Sequence, residues 1–250
     1  MRKSTFDAVV LSNKALTADV FCLTVSAPEI INGAFPGMFF QLRIFSGQGI
    51  LLRRPISIAD IQDTKITFIY RVIGKGTAEM KKLKPGDVIN CLGPLGNGFS
   101  MSAQKPLLIG GGMGAAPLLY LAKMYDKKAD LLIGSRNSKE MFWPELYKDL
   151  LNNIYITTDD GSVGTKGFTV DLLPVLLKEN HYDALFVCGP EIMMRGIYKI
   201  VQGENIFCQV SLEKRMACGL GACLSCSIDT KSGRKKVCTD GPVFKAQEVL

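Results

Sequence analysis

The chain has one histidine among 250 residues and no apolar run long enough to cross a bilayer. His181 lies in "KENHYDAL", a predicted helix-to-strand connection, and reads as a surface loop residue rather than a catalytic base. The longest uncharged run, Pro106 to Ala122, holds four glycines and two prolines and is interrupted by "GGGMG". It therefore predicts a strand, a loop and a helix rather than a membrane span. The first residues, "MRKSTFDAVVLSNK", contain only a four-residue apolar stretch, too short for a secretory segment, so a cytoplasmic protein without membrane association is expected. Internal repeats and low-complexity tracts are also missing. A net charge of +7 is spread along the chain, densest at Lys81 to Lys84 and Lys231 to Lys236, with no aromatics interleaved. That pattern predicts a solvated surface and no nucleic-acid partner.

Cysteine is not scarce: there are eight. In a reducing compartment they are expected as thiols, which favours metal binding or redox chemistry over a disulfide framework. Cys22, Cys91 and Cys208 are scattered and read as buried small side chains. Cys218, Cys223 and Cys226 fall in "MACGLGACLSC", spaced C-x4-C-x2-C, and Cys238 follows twelve positions later. This is the plant-type spacing of a [2Fe-2S] ligand set. Gly219, Gly221, Ala222 and Ser225 are small enough to let a loop bend thiolates around one inorganic core. A structural zinc site is the rival reading, although such sites pair two short C-x2-4-C units and Cys238 has no close mate.

The length suggests two or three compact units. Residues 1–101 read as six short strands, "FDAVVLSNKAL", "VFCLTVSA", "MFFQLRIF", "GILLRRPISIAD", "KITFIYRVI" and "DVINCLG", with one helix over Ala78 to Leu83. A closed six-stranded antiparallel barrel is expected, because closure removes exposed edges. Residues 102–210 alternate strands with helices ("AAPLLYLAKMY", "SKEMFWPELYKDLL", "TVDLLPVLLKEN", "EIMMRGIYKIV"), predicting a doubly wound parallel-sheet α/β domain. Residues 211–250 form a short cysteine- and glycine-rich tail, expected to fold as its own module around its staple.

Two further motifs bear on chemistry. "GGGMGAAPLLYLA" follows a predicted strand and opens a helix, where the N–H groups around Gly110, Gly111, Gly112 and Gly114 can cradle a pyrophosphate. Ala115 replaces the last glycine of the usual pattern, so a plain tight turn is an equal reading. "RRPISIAD" places Arg53 and Arg54 on a barrel strand, where exposure on the outer face is the simplest explanation. Asp159 and Asp160 in "TTDDGS" read as turn residues, not a metal pair.

Taken in order, Arg54-Pro55-Ile56-Ser57, Ile69-Tyr70-Arg71, Gly76-Thr77, Gly93-Pro94 with Gly96 and Gly98, the Gly110 to Gly114 loop and Cys188-Gly189-Pro190 resemble the motif series of ferredoxin reductase-like flavoproteins. With "EKRMACGLGACLSC" added, the whole chain resembles the electron transfer subunits of two-subunit, NAD-dependent dihydroorotate dehydrogenases. The resemblance implies that Arg54 holds the diphosphate of FAD, that Pro55, Ile56 and Ser57 flank the flavin, and that Ile69, Tyr70 and Arg71 line the cofactor. It implies that Gly76 and Thr77 meet FAD phosphates, that the Gly110 to Gly114 loop takes the pyrophosphate of NAD, and that Cys188 and Gly189 lie near the nicotinamide. From the residues, Cys188 also reads as a buried strand-end thiol. The implied partner is an FMN-containing catalytic subunit, two of each forming a heterotetramer, in which this chain passes electrons to NAD through [2Fe-2S] and FAD in pyrimidine biosynthesis. No residue here serves as a catalytic acid or base, since the chemistry belongs to the cofactors. A subunit of an NAD(P)H-dependent ferredoxin or sulfide-linked reductase is the alternative in the same fold, and a zinc-stapled binding protein the alternative outside it. Arg136 leaves the choice between NAD and NADP open on residues alone.

Overall fold

The structure, a computed structural model, describes residues 3–27, 33–44 and 49–250. Strands β1 (Ser4–Ala15), β2 (Val20–Ser26), β3 (Phe39–Ile44), β4 (Arg54–Gln62), β5 (Lys65–Arg71) and β6 (Val88–Leu95) close into an antiparallel barrel in the order β1-β2-β5-β4-β3-β6. Alternation sends Phe40, Leu42, Ile58, Ile66, Phe68 and Ile89 into one shared core. The predicted helix exists but starts earlier, as α1 (Lys75–Lys81). Thr77 Oγ1 accepts from the N–H groups of Ile73 and Gly74 at its start, and Asn13 Nδ2 donates to Met80 O at its end, 2.9 Å away. The strand expected over 49–60 begins only at Arg54, leaving Leu51 and Leu52 exposed ahead of it. Phe45, expected at the end of the third strand, lies outside the described residues.

The second unit runs β7 (Pro106–Gly111), α2 (Ala116–Tyr125), β8 (Asp130–Ser135), α3 (Trp143–Tyr147), β9 (Ile154–Thr158), β10 (Thr165–Lys166), α4 (Thr169–Glu179), β11 (Ala184–Cys188), α5 (Glu191–Val201) and β12 (Phe207–Ser211). Its strands are parallel. Residues of α2 and α3 bury their apolar stripes on one face of the sheet and those of α4 and α5 on the other, which is the doubly wound arrangement. The long helix expected over 138–151 is instead a 3-10 turn, Ser138–Glu140, followed by the five-residue α3. Pro144, which lacks an N–H, is tolerated there because it falls in the first turn.

The tail is less independent than its length suggests. The hairpin β13 (Ser227–Thr230) and β14 (Gly233–Lys236) stands alone, but β15 (Val243–Lys245) joins the large sheet antiparallel to β12, giving the order β10-β9-β8-β7-β11-β12-β15. Helix α6 (Ala246–Val249) ends the chain. Asn97, just beyond β6, accepts this tail: its N–H donates to Gly241 O at 2.6 Å and its Nδ2 to Asp240 O at 3.0 Å. Phe39, Leu95, Cys226, Val237, Cys238 and Phe244 form one apolar cluster. The tail thus borrows its core from the barrel and its sheet from the parallel-sheet unit, as expected of a segment too short to bury enough surface alone. The barrel and the parallel-sheet unit are themselves joined by α2, which packs on β4 with Lys123 Nζ 2.9 Å from Asp60 Oδ1.

Candidate functional site

The barrel is closed but not evenly zipped. Pairing between β4 and β5 runs from Gln62–Lys65 to Ile58–Phe68 and ends there. Beyond that point Arg54 to Ser57 pair only with β3, and Ile69 to Arg71 only with β2. Two separate sequence motifs thereby become the two lips of one splayed seam. The third motif joins them: Arg54 Nη1 donates to Leu52 O, and its guanidinium lies where a Cβ on Gly76 would stand. Only glycine leaves that room. A forked, permanently charged guanidinium held over the first turn of a helix suits a diphosphate.

Within this seam the side chains do not all face the same way. Ile69 packs toward the nucleotide domain, and Arg71 lines the large cavity, with Nε 3.3 Å from Asp19 Oδ2 and Nη2 3.9 Å from Glu140 Oε1. Tyr70 is turned inward, 2% exposed, stacked on Phe21 with its hydroxyl donating to Asn13 Oδ1. Burial pushes that phenol up to about 12. The Tyr70 ring therefore does not face the seam, because strand alternation assigns it to the barrel core.

A cavity of about 1080 Å³ opens over the carboxyl ends of the parallel strands. Its lining includes Gly111, Gly112, Gly114, Ser135, Thr169 and Gly189. Strand β7 lies between β8 and β11, so the crevice sits where the winding reverses, the place such sheets hold ligands. The loops after β7 and β11 touch: a Cβ on Gly189 would stand 3.0 Å from Gly111 Cα. Gly110 stays in the strand below, against Ala115, so three of the four expected glycines reach the cavity. Tyr147, fully buried under this turn, donates to Ala115 O at 2.5 Å. The sequence reading did not single out Ser135 and Thr169. Both hydroxyls are buried without a protein partner at the cavity wall, as a site for a sugar or phosphate requires. Their signal was positional, at a strand end and a helix start after it.

Cys188 closes β11 but lies under the floor, 1% exposed. Burial raises its thiol well above the ordinary range and the Glu213 carboxylate adds to this, so it is a neutral thiol at neutral pH. Gly189, not Cys188, meets the cavity. Arg136, just past β8, is occupied: its Nε donates to Glu140 Oε1 at 3.0 Å and its Nη2 to the same oxygen. That bond holds the Glu140 carboxyl below its usual range. Asp160 accepts from the Ser162 N–H in a turn, as expected, and His181 is exposed.

The four tail cysteines come in two pairs. Cys223 N–H donates to Cys218 Sγ at 3.5 Å, and Cys238 faces the Cys226 thiol. Among the described residues no three Cys, His, Asp or Glu side chains converge closely enough for a single metal ion. Four thiols gathered on this loop and just beyond its hairpin are the donor set that a [2Fe-2S] group takes. Gly219 and Gly221 hold φ values of +72 and +87, conformations that admit glycine most readily. The Thr239 hydroxyl is buried beside the loop without a partner. Exposed Cys223 is pulled down to about 6, chiefly by the Ser225 hydroxyl, whereas burial pushes Cys238 up to about 11. One thiolate is thus ready at neutral pH, and the buried Cys238 thiol needs a positive centre to ionise.

The comparisons agree with this geometry. Residues 213–250 match the family described as the iron-sulfur cluster binding domain of dihydroorotate dehydrogenase B. The chain is 42% identical over 227 residues to the dihydroorotate dehydrogenase B (NAD(+)) electron transfer subunit of Clostridium acetobutylicum, covering 88% of this chain and 89% of that one. It is 38% identical to the protein of the same name from Caldanaerobacter subterraneus, covering 97% of each. Among solved structures, a chain of an NADH-dependent reduced ferredoxin-NADP oxidoreductase superposes with a TM-score of 0.84 at 30% identity, covering 97% of this chain and 89% of that one. A ferredoxin NADP+ reductase from Neisseria gonorrhoeae superposes at 0.67 and 16% identity, covering 83% of this chain and 99% of that one, and shows the shared fold. With its seam, crevice and paired cysteines in place, this chain belongs to the family of dihydroorotate dehydrogenase B (NAD(+)) electron transfer subunits.

Proposed function

We propose that this chain carries electrons from dihydroorotate, oxidised on an FMN-containing catalytic partner, to NAD+. The observation that carries the proposal is adjacency. The cysteine loop covers the outer face of β3 at Phe39 and Gln41, whose ladder partners Ser57 and Pro55 form one lip of the splayed seam. The seam in turn borders the nucleotide domain through Ile69 and Arg71. Three sites lie in series on neighbouring elements.

When bound, FAD joins single-electron supply from a [2Fe-2S] cluster to hydride transfer at NAD, because a flavin is stable in three oxidation states. The chain's residues position and shield. Cys218, Cys223, Cys226 and Cys238 hold the cluster. Arg54 offers its guanidinium to the FAD diphosphate above Gly76, with Thr77 fixing the turn. Main-chain groups of Ile69, Tyr70 and Arg71, with Pro55, Ile56 and Ser57 opposite, take the flavin. Gly111, Gly112 and Gly114 admit the NAD pyrophosphate, with Ser135 and Thr169 supplying hydroxyls. Cys188, buried and neutral, closes the floor beneath the nicotinamide and moves no proton.

We place the complex in the cytoplasm as a heterotetramer of two catalytic and two electron transfer subunits. No helix among the described residues is long and apolar enough to cross a membrane. The test is co-purification from the native cell followed by assay. The complex reduces NAD+ on addition of dihydroorotate, while the isolated chain oxidises NADH with artificial acceptors and leaves dihydroorotate untouched. Turnover of dihydroorotate by the isolated chain contradicts the proposal. The 30% identity to a chain of a ferredoxin-linked oxidoreductase supports a second reading, in which ferredoxin replaces the catalytic partner. Ferredoxin-dependent and dihydroorotate-independent NAD+ reduction by the native complex would establish it.

A further inference from the structure

One buried side chain on the proposed route has no partner. Alternation along β3 turns Phe40 and Leu42 into the barrel and Phe39 and Gln41 out of it. Phe39 packs against Cys226 and Cys238. Gln41 is fully buried, and neither its Nε2 nor its Oε1 makes a hydrogen bond. It lies against the cysteine loop: a Cβ on Gly219 would stand 2.8 Å from both Gln41 Cγ and Gln41 Nε2. Gly219 directly follows Cys218, and Gln41 pairs across the ladder with Pro55 of the seam. Gln41 therefore stands between the two sites it would have to serve.

An unpaired buried amide is destabilising, and a leucine would fill the same space without that penalty. An acceptor is needed for two N–H donors aimed at a loop whose distinctive chemistry is sulfur. The neighbouring backbone already points donors that way, with Leu220 N–H donating to Cys218 Sγ at 3.3 Å. We propose that Gln41 is a positioning residue for the iron–sulfur centre, with Nε2 donating a hydrogen bond to sulfur on its Cys218 side. Such a bond disperses negative charge and favours the reduced state, so Gln41 raises the cluster's reduction potential relative to a barrel strand with an apolar residue there. The main-chain carbonyl of Gln41 accepts from Arg53 Nη1 at 3.3 Å, which anchors the strand that carries the amide.

This inference rests on the cluster reading, and the experiment separates the two. In the complete complex, iron, acid-labile sulfide and the electron paramagnetic resonance signal of a reduced [2Fe-2S] centre test the reading itself; their absence overturns both. With the centre present, unmodified protein labelled with 15N at glutamine side chains is expected to show a 15N coupling in its pulsed resonance spectrum. Gln41→Leu is expected to abolish that coupling and to lower the cluster midpoint, with iron content and the flavin midpoint unchanged. No 15N coupling in the unmodified protein overturns the proposal, whether or not Gln41→Leu retains its cluster. A variant whose cluster midpoint stays put, or whose flavin midpoint moves instead, does the same.

Discussion

Gly114→Ala tests the nucleotide crevice by adding one methyl group. The position is helical rather than left-handed, so alanine brings no backbone strain, and its better helix propensity favours the fold by up to about 1 kcal/mol. The obstacle is contact alone: the new Cβ would stand 2.5 Å from the Cys188 carbonyl carbon and 2.7 Å from Gly189 Cα. Both are backbone atoms at the end of β11 and have no rotamer with which to yield. The Cys188 carbonyl oxygen lies closer still, so reaching ordinary contact requires the loops after β7 and β11 to part by roughly 1 Å or more, and overpacking of this kind typically costs about 1–3 kcal/mol. Since the two loops form the crevice, the cost falls on nucleotide binding, an expected 5- to 150-fold loss in kcat/KM for NADH at about 1.4 kcal/mol per tenfold. The assay is NADH oxidation with an artificial acceptor, read beside flavin content, iron content and Tm. Gly86→Ala is the control, because its Cβ meets nothing within 4 Å, its φ of +94 adds left-handed strain of about 1–2 kcal/mol, and it lies outside the crevice lining. A Gly114→Ala protein that keeps flavin, iron and kcat/KM within twofold would refute the placement of NAD over these loops.

Glu140→Gln removes the carboxylate that occupies Arg136, and a 2′-phosphate then finds a free guanidinium. The kcat/KM ratio of NADPH to NADH is expected to rise about tenfold, near 1.4 kcal/mol, and an unchanged ratio would show that Arg136 lies away from the adenosine ribose. Tyr147→Phe leaves the buried Ala115 carbonyl without its donor, costing about 1–3 kcal/mol. Its Tm is expected to fall by about 2–4 °C per kcal/mol, measured by calorimetry, and an unaltered Tm would mean the carbonyl finds another donor. In cluster-free protein, iodoacetamide is expected to label Cys223 first. Its thiolate form is favoured above about 6, so the rate rises with pH through that value and levels off, whereas Cys238 reacts only toward about 11. Peptide mapping that finds Cys238 labelled first would contradict the geometry of the loop.

Much of this architecture is visible in the residues because it is local. Six β-branched and aromatic runs with Gly and Pro between them predict the barrel, and the alternation after Lys105 predicts the doubly wound sheet. The C-x4-C-x2-C spacing predicts the cluster loop because ligand spacing along one bend is itself local. What depends on long-range pairing is not visible. That β4 parts from β5 beyond Ile58 and Phe68 is decided by register, so Arg54 and Ile69 look like separate motifs until the seam brings them together. Tyr70 belongs to a motif expected to line a cofactor, yet alternation turns its ring inward. The tail's β15 is three residues long, too short to signal a strand without β12 beside it. Gln41 reads as an ordinary strand polar residue, and only the covering tail makes it buried.

Entry of electrons through the cysteine loop is decided by Cys223→Ser in the assembled complex. Cys223 is exposed, so serine there removes a cluster ligand with little effect on packing. Dihydroorotate-dependent NAD+ reduction is expected to be lost while flavin content and NADH oxidation by artificial acceptors persist. Normal electron flow from dihydroorotate to NAD+ in that variant would contradict it.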